Sequence, residues 1–296
     1  MSTTKSKTIV ITGGTGGIGY QEALWLAGMK ENHTIVITGR NSETAAAAVE
    51  RIKQATNNPN IHYAVADLSV QAQVKSLAKD LLQRFPKIDE LISNAGNLDT
   101  GVKRTTVDGV DKNFSVNVIA PLLLTRAMVP ALKAAMPTGK VQITSGGTPM
   151  DTLDVTDIES MNKAVGLLAY SHSKRVMEAM AIALSREMEP QGISVNVVGG
   201  ALPGATSMTG AITIKDLPWI MKPFYPCFRA FMGRDDGGKS AKQCAEPCVL
   251  AAIADAKDLG TGKSYLSYPQ EGQFKTEVAN NDNQAAIMKY ISSKLV

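Results

Sequence analysis

Short runs of β-branched and apolar residues alternate with longer helix-compatible stretches along the whole chain, and this alternation narrows the fold more than any other feature. Parallel strands need a crossover to bring the chain back to the same end of the sheet, and a helix is the usual crossover. The runs Thr8–Thr12, Thr34–Thr38, Ile61–Ala66, Glu90–Ser93, Lys140–Thr144, Ser194–Val198 and Ser264–Ser267 read as strands. Most are almost continuously apolar, as expected of strands covered on both faces. Helices are predicted near 20–29, 42–56, 70–85, 106–136, 160–189, 241–256 and 283–294. The pattern predicts an α/β chain whose residues 1–296 form a single doubly wound domain of about seven parallel strands with helices on both faces.

The totals fit this reading. At 296 residues and 44% hydrophobic content, the chain can bury a large core. Its net charge of +4 is spread over 31 basic and 27 acidic residues with no single-sign block, which argues against a nucleic-acid surface. The cysteines Cys227, Cys244 and Cys248 match no zinc spacing, so no metal site is expected, and an odd cysteine count in a long chain reads as a reducing compartment. No signal peptide or transmembrane run of about 18–20 apolar residues is read, and a cytoplasmic protein is the expectation.

Two stretches break the rhythm, and both follow strand C-termini, where open α/β sheets bind ligands. Residues 146–160 read as a substrate loop. Residues 206–239, with Trp219, Phe224, Tyr225, Phe228 and Phe231, read as a substrate lid, with ordinary packing or peripheral membrane contact as alternatives.

The first strand ends in Thr12-Gly13-Gly14-Thr15-Gly16-Gly17-Ile18-Gly19 and runs directly into a helix. Glycines there permit a tight turn and let backbone N–H groups reach a pyrophosphate, which makes the doubly wound sheet Rossmann-type. Gly13, Thr15, Gly17, Ile18 and Gly19 are the candidate contacts. An acidic residue at the end of the second strand would select NAD; this chain has Gly39-Arg40-Asn41 instead. Arg40 and Asn41 without a carboxylate favour a 2′-phosphate, hence NADP(H).

From these motifs the chain resembles the short-chain dehydrogenase/reductase family along nearly its whole length. Asp67-Leu68 after the third strand matches the family's adenine contact, and Asn94-Ala95-Gly96 its Asn-Ala-Gly motif. Asn117 matches the helix asparagine that holds a proton-relay water, Ser145 the catalytic serine, and Tyr170-Ser171-His172-Ser173-Lys174 the Tyr-x-x-x-Lys signature. The resemblance implies a small-molecule carbonyl or alcohol substrate and a homodimer or homotetramer. A phenol near pKa 10 exchanges protons sluggishly at neutral pH, so Lys174 is expected to lower the Tyr170 pKa and to grip the nicotinamide ribose. Ser145 is expected to hold the substrate oxygen.

Tyr290-Ile291-Ser292-Ser293-Lys294 matches the same short signature, but its place after the last strand makes it an ordinary terminal helix. His172 is expected to serve packing or solvent rather than chemistry. The 25-residue separation of Ser145 and Tyr170, with the Arg104-Thr105-Thr106-Val107-Asp108-Gly109 stretch, is similar to the retinol-dehydrogenase-like and protochlorophyllide-reductase-like branches and points to a bulky apolar substrate. The sixth strand departs from the family: Gly200-Ala201 stands where Pro-Gly is usual, and Pro203-Gly204 follows, leaving Thr206 as the candidate carboxamide contact. That departure keeps two alternatives open, a non-redox isomerase or cyclase and a non-catalytic dinucleotide-binding sensor.

Overall fold

A computed structural model describes residues 5–100, 105–137, 139–145, 153–161, 166–199, 213–217, 219–226 and 239–296. Its strands are β1 (Thr8–Ile11), β2 (Thr34–Gly39), β3 (Ile61–Val65), β4 (Glu90–Ser93), β5 (Lys140–Thr144), β6 (Ser194–Val198), β7 (Ser264–Ser267) and β8 (Gln270–Gly272). They form one sheet in the order β3-β2-β1-β4-β5-β6-β7-β8, parallel except for the final antiparallel pair. Seven of these strands are the predicted ones. The eighth is a three-residue polar edge, Gln-Glu-Gly, with every residue exposed, so it carries no apolar run to betray it.

The strands are covered on both faces by alternation. Val10, Val36, Leu91, Val141, Val195 and Val197 point to one side. There they meet α3 (Gln71–Arg84), α5 (Ala120–Ala134), α6 (Leu167–Met188) and α10 (Asn281–Lys294). Ile9, Ile11, Ile35, Ile37 and Ile92 point to the other, against α1 (Gly17–Ala27), α2 (Ser42–Thr56) and α7 (Lys239–Ile253). Burying each of these side chains is worth about 1.5–3 kcal/mol, and a one-residue slip would exchange the two faces. The short helices α4 (Lys112–Phe114), α8 (Ala256–Leu259) and α9 (Thr276–Ala279) complete the α-helices among the described residues.

Two predicted helices differ in their bounds. The expected 106–136 helix starts at Lys112 and contains a π-helical turn over Ser115–Ile119, which carries Asn117. Asp111 caps it, its side chain accepting the Phe114 N–H. The expected 160–189 helix starts only at Leu167, after Gly166 at φ +60°. A β-carbon at Gly166 would also lie 2.4 Å from the Asp216 carbonyl oxygen, so the chain turns there where a side chain would clash.

The expectation that no run reaches membrane-spanning length meets one exception: Lys112–Ala134 is long and apolar enough by length and composition. Most of it is buried against the sheet and α6, as for a core helix.

Candidate active site

The β1–α1 turn is built by contacts between the glycines and the β4 end. Gly13 sits at φ +70°, and a β-carbon there would come within 2.9 Å of the Ala95 Cα; one at Gly19 would come within 2.4 Å of the Asn94 amide nitrogen. Asn94 Nδ2 donates to the Thr12 carbonyl at 2.9 Å, and the Ala95 N–H donates to Thr12 Oγ1 at 3.0 Å. The Asn-Ala-Gly motif therefore locks the glycine turn in place, with Gly96 continuing the same chain end. Gly16 precedes α1 with no side-chain cap and no acidic residue in the first turn. The N–H groups around Gly17, Ile18 and Gly19 are thus open to an anion, favoured further by the helix dipole.

At the β2 end, Gly39 makes room for Thr15: a β-carbon there would lie 2.6 Å from the Thr15 methyl. Arg40 beside it is exposed. The Asn41 side chain accepts the Thr44 N–H at 2.9 Å and so caps α2, a structural use that the sequence motif did not assign. Burial would push the Asp67 carboxyl up, but the Ser69 N–H and hydroxyl and the charges of Arg40 and Lys112 outweigh it and hold it below its usual value. Leu68 is buried beside it.

Of the four expected catalytic side chains, Tyr170 and Lys174 lie on α6, Lys174 reaches the end of β5 that Ser145 follows, and Asn117 bonds α6 through Ser173. Ser145 closes β5 with 1% exposure, its N–H donating to the Val198 carbonyl at 3.0 Å. Gly199, next on β6, is required here, since a β-carbon would stand 1.8 Å from the Ser145 carbonyl oxygen. Lys174 Nζ donates to the Thr144 carbonyl at 3.1 Å and lies 5.9 Å from the Tyr170 ring centre. Asn117 Nδ2 donates to Ser173 Oγ at 2.8 Å, and its Oδ1 accepts the Asn97 N–H at 2.8 Å. The π turn is thereby fastened both to α6 and to the β4 exit, in keeping with the association of such turns with functional sites.

The electrostatics correct one expectation. The Tyr170 hydroxyl is pushed up to about 12 by burial rather than down, and Lys174 is lowered to about 8, also by burial, with Glu178 opposing the fall. Desolvation of the phenolate sets that direction.

His172 is buried and ties the segment at 153–161 to α6. Its Nε2 accepts the Asp154 N–H at 3.0 Å, while Nδ1 and Ser160 Oγ are 2.6 Å apart. The second tyrosine motif also has a use: Tyr290 donates to Glu159 Oε1 at 2.5 Å, Lys294 lies 3.2 Å from that oxygen, and Glu159 Oε2 accepts the Asp111 N–H at 2.5 Å. The described part of the 146–160 stretch is thus clasped between α6 and α10, with Ile158 in the core and Leu153 and Val155 packed against it. Residues 146–152, Thr206 with most of 206–239, Gly200 to Gly204, Cys227, Phe228 and Phe231 lie outside the described residues. Of the lid aromatics, Phe224 is 65% exposed, which leaves it available to contact something other than the core. The sequence motifs did not point to Glu178, whose carboxylate accepts the Ser145 hydroxyl, or to Arg175, which pairs with it.

The short chain dehydrogenase family model matches residues 7–216. Retinol dehydrogenase 13 of Homo sapiens is 29% identical over 273 residues, covering 91% of this chain and 79% of that protein. The Mus musculus retinol dehydrogenase 13 is 27% identical over 267 residues, covering 89% and 76%. Among solved structures, a metagenomic short-chain oxidoreductase in complex with NADP shares the fold at a TM-score of 0.61 and 22% identity, covering 91% of this chain and all of that one. The chain belongs to the short-chain dehydrogenase family, and is accordingly an oxidoreductase of the alcohol–carbonyl type.

Proposed function

We propose that this chain is an NADP(H)-dependent oxidoreductase that interconverts a bulky apolar carbonyl compound and its alcohol, with Tyr170 as general acid–base. The observation that carries the reading is that Lys174, near the Tyr170 ring, reaches the Thr144 carbonyl next to Ser145, and Asn117 bonds the same helix through Ser173, at the β5 end of the sheet that also bears the glycine turn. The cradle suits a dinucleotide, because β-carbons would fill the places where Gly13 and Gly19 approach the β4 end, and α1 begins without a cap. The exposed Arg40, with no carboxylate beside it on β2, supports a 2′-phosphate. The names of the retinol dehydrogenase relatives support an apolar alcohol or aldehyde as substrate, and the NADP held by the metagenomic structural neighbour supports the cofactor.

When bound, NADPH would supply hydride to the carbonyl carbon. The chain's own groups manage the oxygen. With its hydroxyl pushed up to about 12, Tyr170 holds its proton at neutral pH and is ready to donate it to the nascent alkoxide. Lys174, lowered to about 8 by burial, still carries its charge at pH 7 and stabilises the phenolate left behind. Asn117 fixes the α4–α5 backbone against α6, so that the groups keep their spacing.

The test is NADPH oxidation against retinal, medium-chain aldehydes and cyclic ketones. Tyr170→Phe should lower kcat by at least about 100-fold while NADPH still binds. Arg40→Ala should weaken NADPH binding by about 10-fold or more and leave NADH binding unchanged, as expected for loss of a charge-assisted bond of about 1.5–3 kcal/mol. Full turnover in Tyr170→Phe, or equal effects on the two cofactors, would contradict the assignment.

A further inference from the structure

A glutamate buried beside the catalytic serine has no place in the chemistry described so far. Glu178 lies one helical turn beyond Lys174 on α6 and is 4% exposed. One carboxylate oxygen accepts the Ser145 hydroxyl at 2.8 Å, and the other accepts Arg175 Nη1 at 2.8 Å. Arg175 is itself 7% exposed, so the ion pair is buried with its partner. A buried carboxylate is costly unless paired and hydrogen-bonded, and here both oxygens are satisfied, one of them by the serine.

We propose that Glu178 is a positioning residue of the active site: its carboxylate orients the Ser145 hydroxyl and supplies the buried negative charge that Lys174 feels. The proposal rests on the reading of Ser145 and Lys174 as active-site groups. A hydroxyl has one proton, and here it is directed at Glu178, so Ser145 Oγ presents lone pairs to any other partner. In that state it accepts a hydrogen bond from a substrate alcohol, and it can donate to a carbonyl only by releasing Glu178. Lys174 meets the Thr144 carbonyl from β5 and Tyr170 and Met177 from its own helix, on which Glu178 follows one turn later. Among the described residues Glu178 is the negative group that acts on it, and it favours the ammonium form, with the paired Arg175 partly offsetting that charge.

The decisive experiment titrates Lys174 in the cofactor-free protein by NMR of ¹³Cε-labelled lysine, the signal being assigned by its loss in Lys174→Met. The natural chain should titrate near 8. Glu178→Gln should move that midpoint down by about one pH unit, and Arg175→Met, which leaves the carboxylate and removes its cationic partner, should move it up. An unchanged midpoint in folded Glu178→Gln overturns the proposal; should that variant fail to fold, an unchanged or lowered midpoint in Arg175→Met does so. A second arm uses retinal reduction: Glu178→Gln should lower kcat by about 10-fold, and in the Ser145→Ala background the same change should cost clearly less, only the part that acts through Lys174 remaining. Fully additive losses contradict the positioning of Ser145. If no carbonyl is reduced by the natural chain, the proposed function falls, and the Lys174 titration still decides the role of Glu178.

Discussion

Tyr170 and Tyr290 each stand four residues before a lysine, and their surroundings put the same short motif to opposite uses. Tyr170 lies near Lys174, which reaches the Thr144 carbonyl at the β5 end; Tyr290 bonds Glu159 and packs edge-on against Phe114. Tyr290→Phe should therefore leave kcat unchanged and cost about 1.5–3 kcal/mol of stability, the worth of a hydrogen bond to a charged group, as read by urea unfolding. Order along the chain read Tyr290 as part of a terminal helix, and it lies on α10. It could not reveal Glu178 or Glu22, because a glutamate on a helix reads as solvated until packing shows otherwise. Glu22 is fully buried on α1, faced by the Cys248 thiol, and burial raises its carboxyl to about 7. The unfolded chain releases that proton near pH 4.5 and the folded chain near 7, so folding stability falls between those values and is level above them. Over this window the loss should come to about 3 kcal/mol, and Glu22→Gln should flatten it. Equal slopes for the two proteins in unfolding at pH 5 and pH 8 would contradict the burial argument.

Among the elements, α7 shows how polar residues inside a strand are accommodated. Lys140 and Gln142 alternate with Val141 on β5 and so face α7 rather than α5. Lys140 Nζ lies 3.1 Å from Glu90 and donates to the carbonyls of Ala251, Ala252 and Ala254, closing the C-terminal end of α7 with a positive charge. Lys140→Met leaves Glu90 buried without its cation and should destabilise the chain by about 3–5 kcal/mol, whereas adding Glu90→Met should recover much of the loss. Thermal melts of the single and double variants measure this; a single variant as stable as the natural chain contradicts it. Strand positions were legible because apolar runs mark them. The π turn at Ser115–Ile119 was not, since a shift of one hydrogen bond leaves the apolar period nearly intact. The late start of α6 was hidden for the opposite reason: it follows Gly166, whose positive φ and close approach to the Asp216 carbonyl involve a residue far away in sequence.

At the scale of the molecule, the sheet order places β1 and β4 side by side, and the chain reverses its direction of winding between them. Ligands of open α/β sheets bind at such a switch point, outside the carboxyl ends of the strands. The glycine turn after β1, Asn94-Ala95 after β4 and Ser145 after β5 all stand at that end. Alternation and motif order carried this much from sequence to fold, while the antiparallel β8 edge and the loop clasp came from contacts that no local pattern encodes. The central claim is that this site passes hydride between NADPH and an apolar carbonyl with Tyr170 handling the proton. Its most direct measurement uses NADPH deuterated at nicotinamide C4, with the alcohol product of retinal reduction examined by mass spectrometry. The account predicts one deuterium on the carbinol carbon with the natural chain and almost none formed by Tyr170→Phe in the same time. Product without deuterium from either C4 face, or equal labelling by the two proteins, would contradict it.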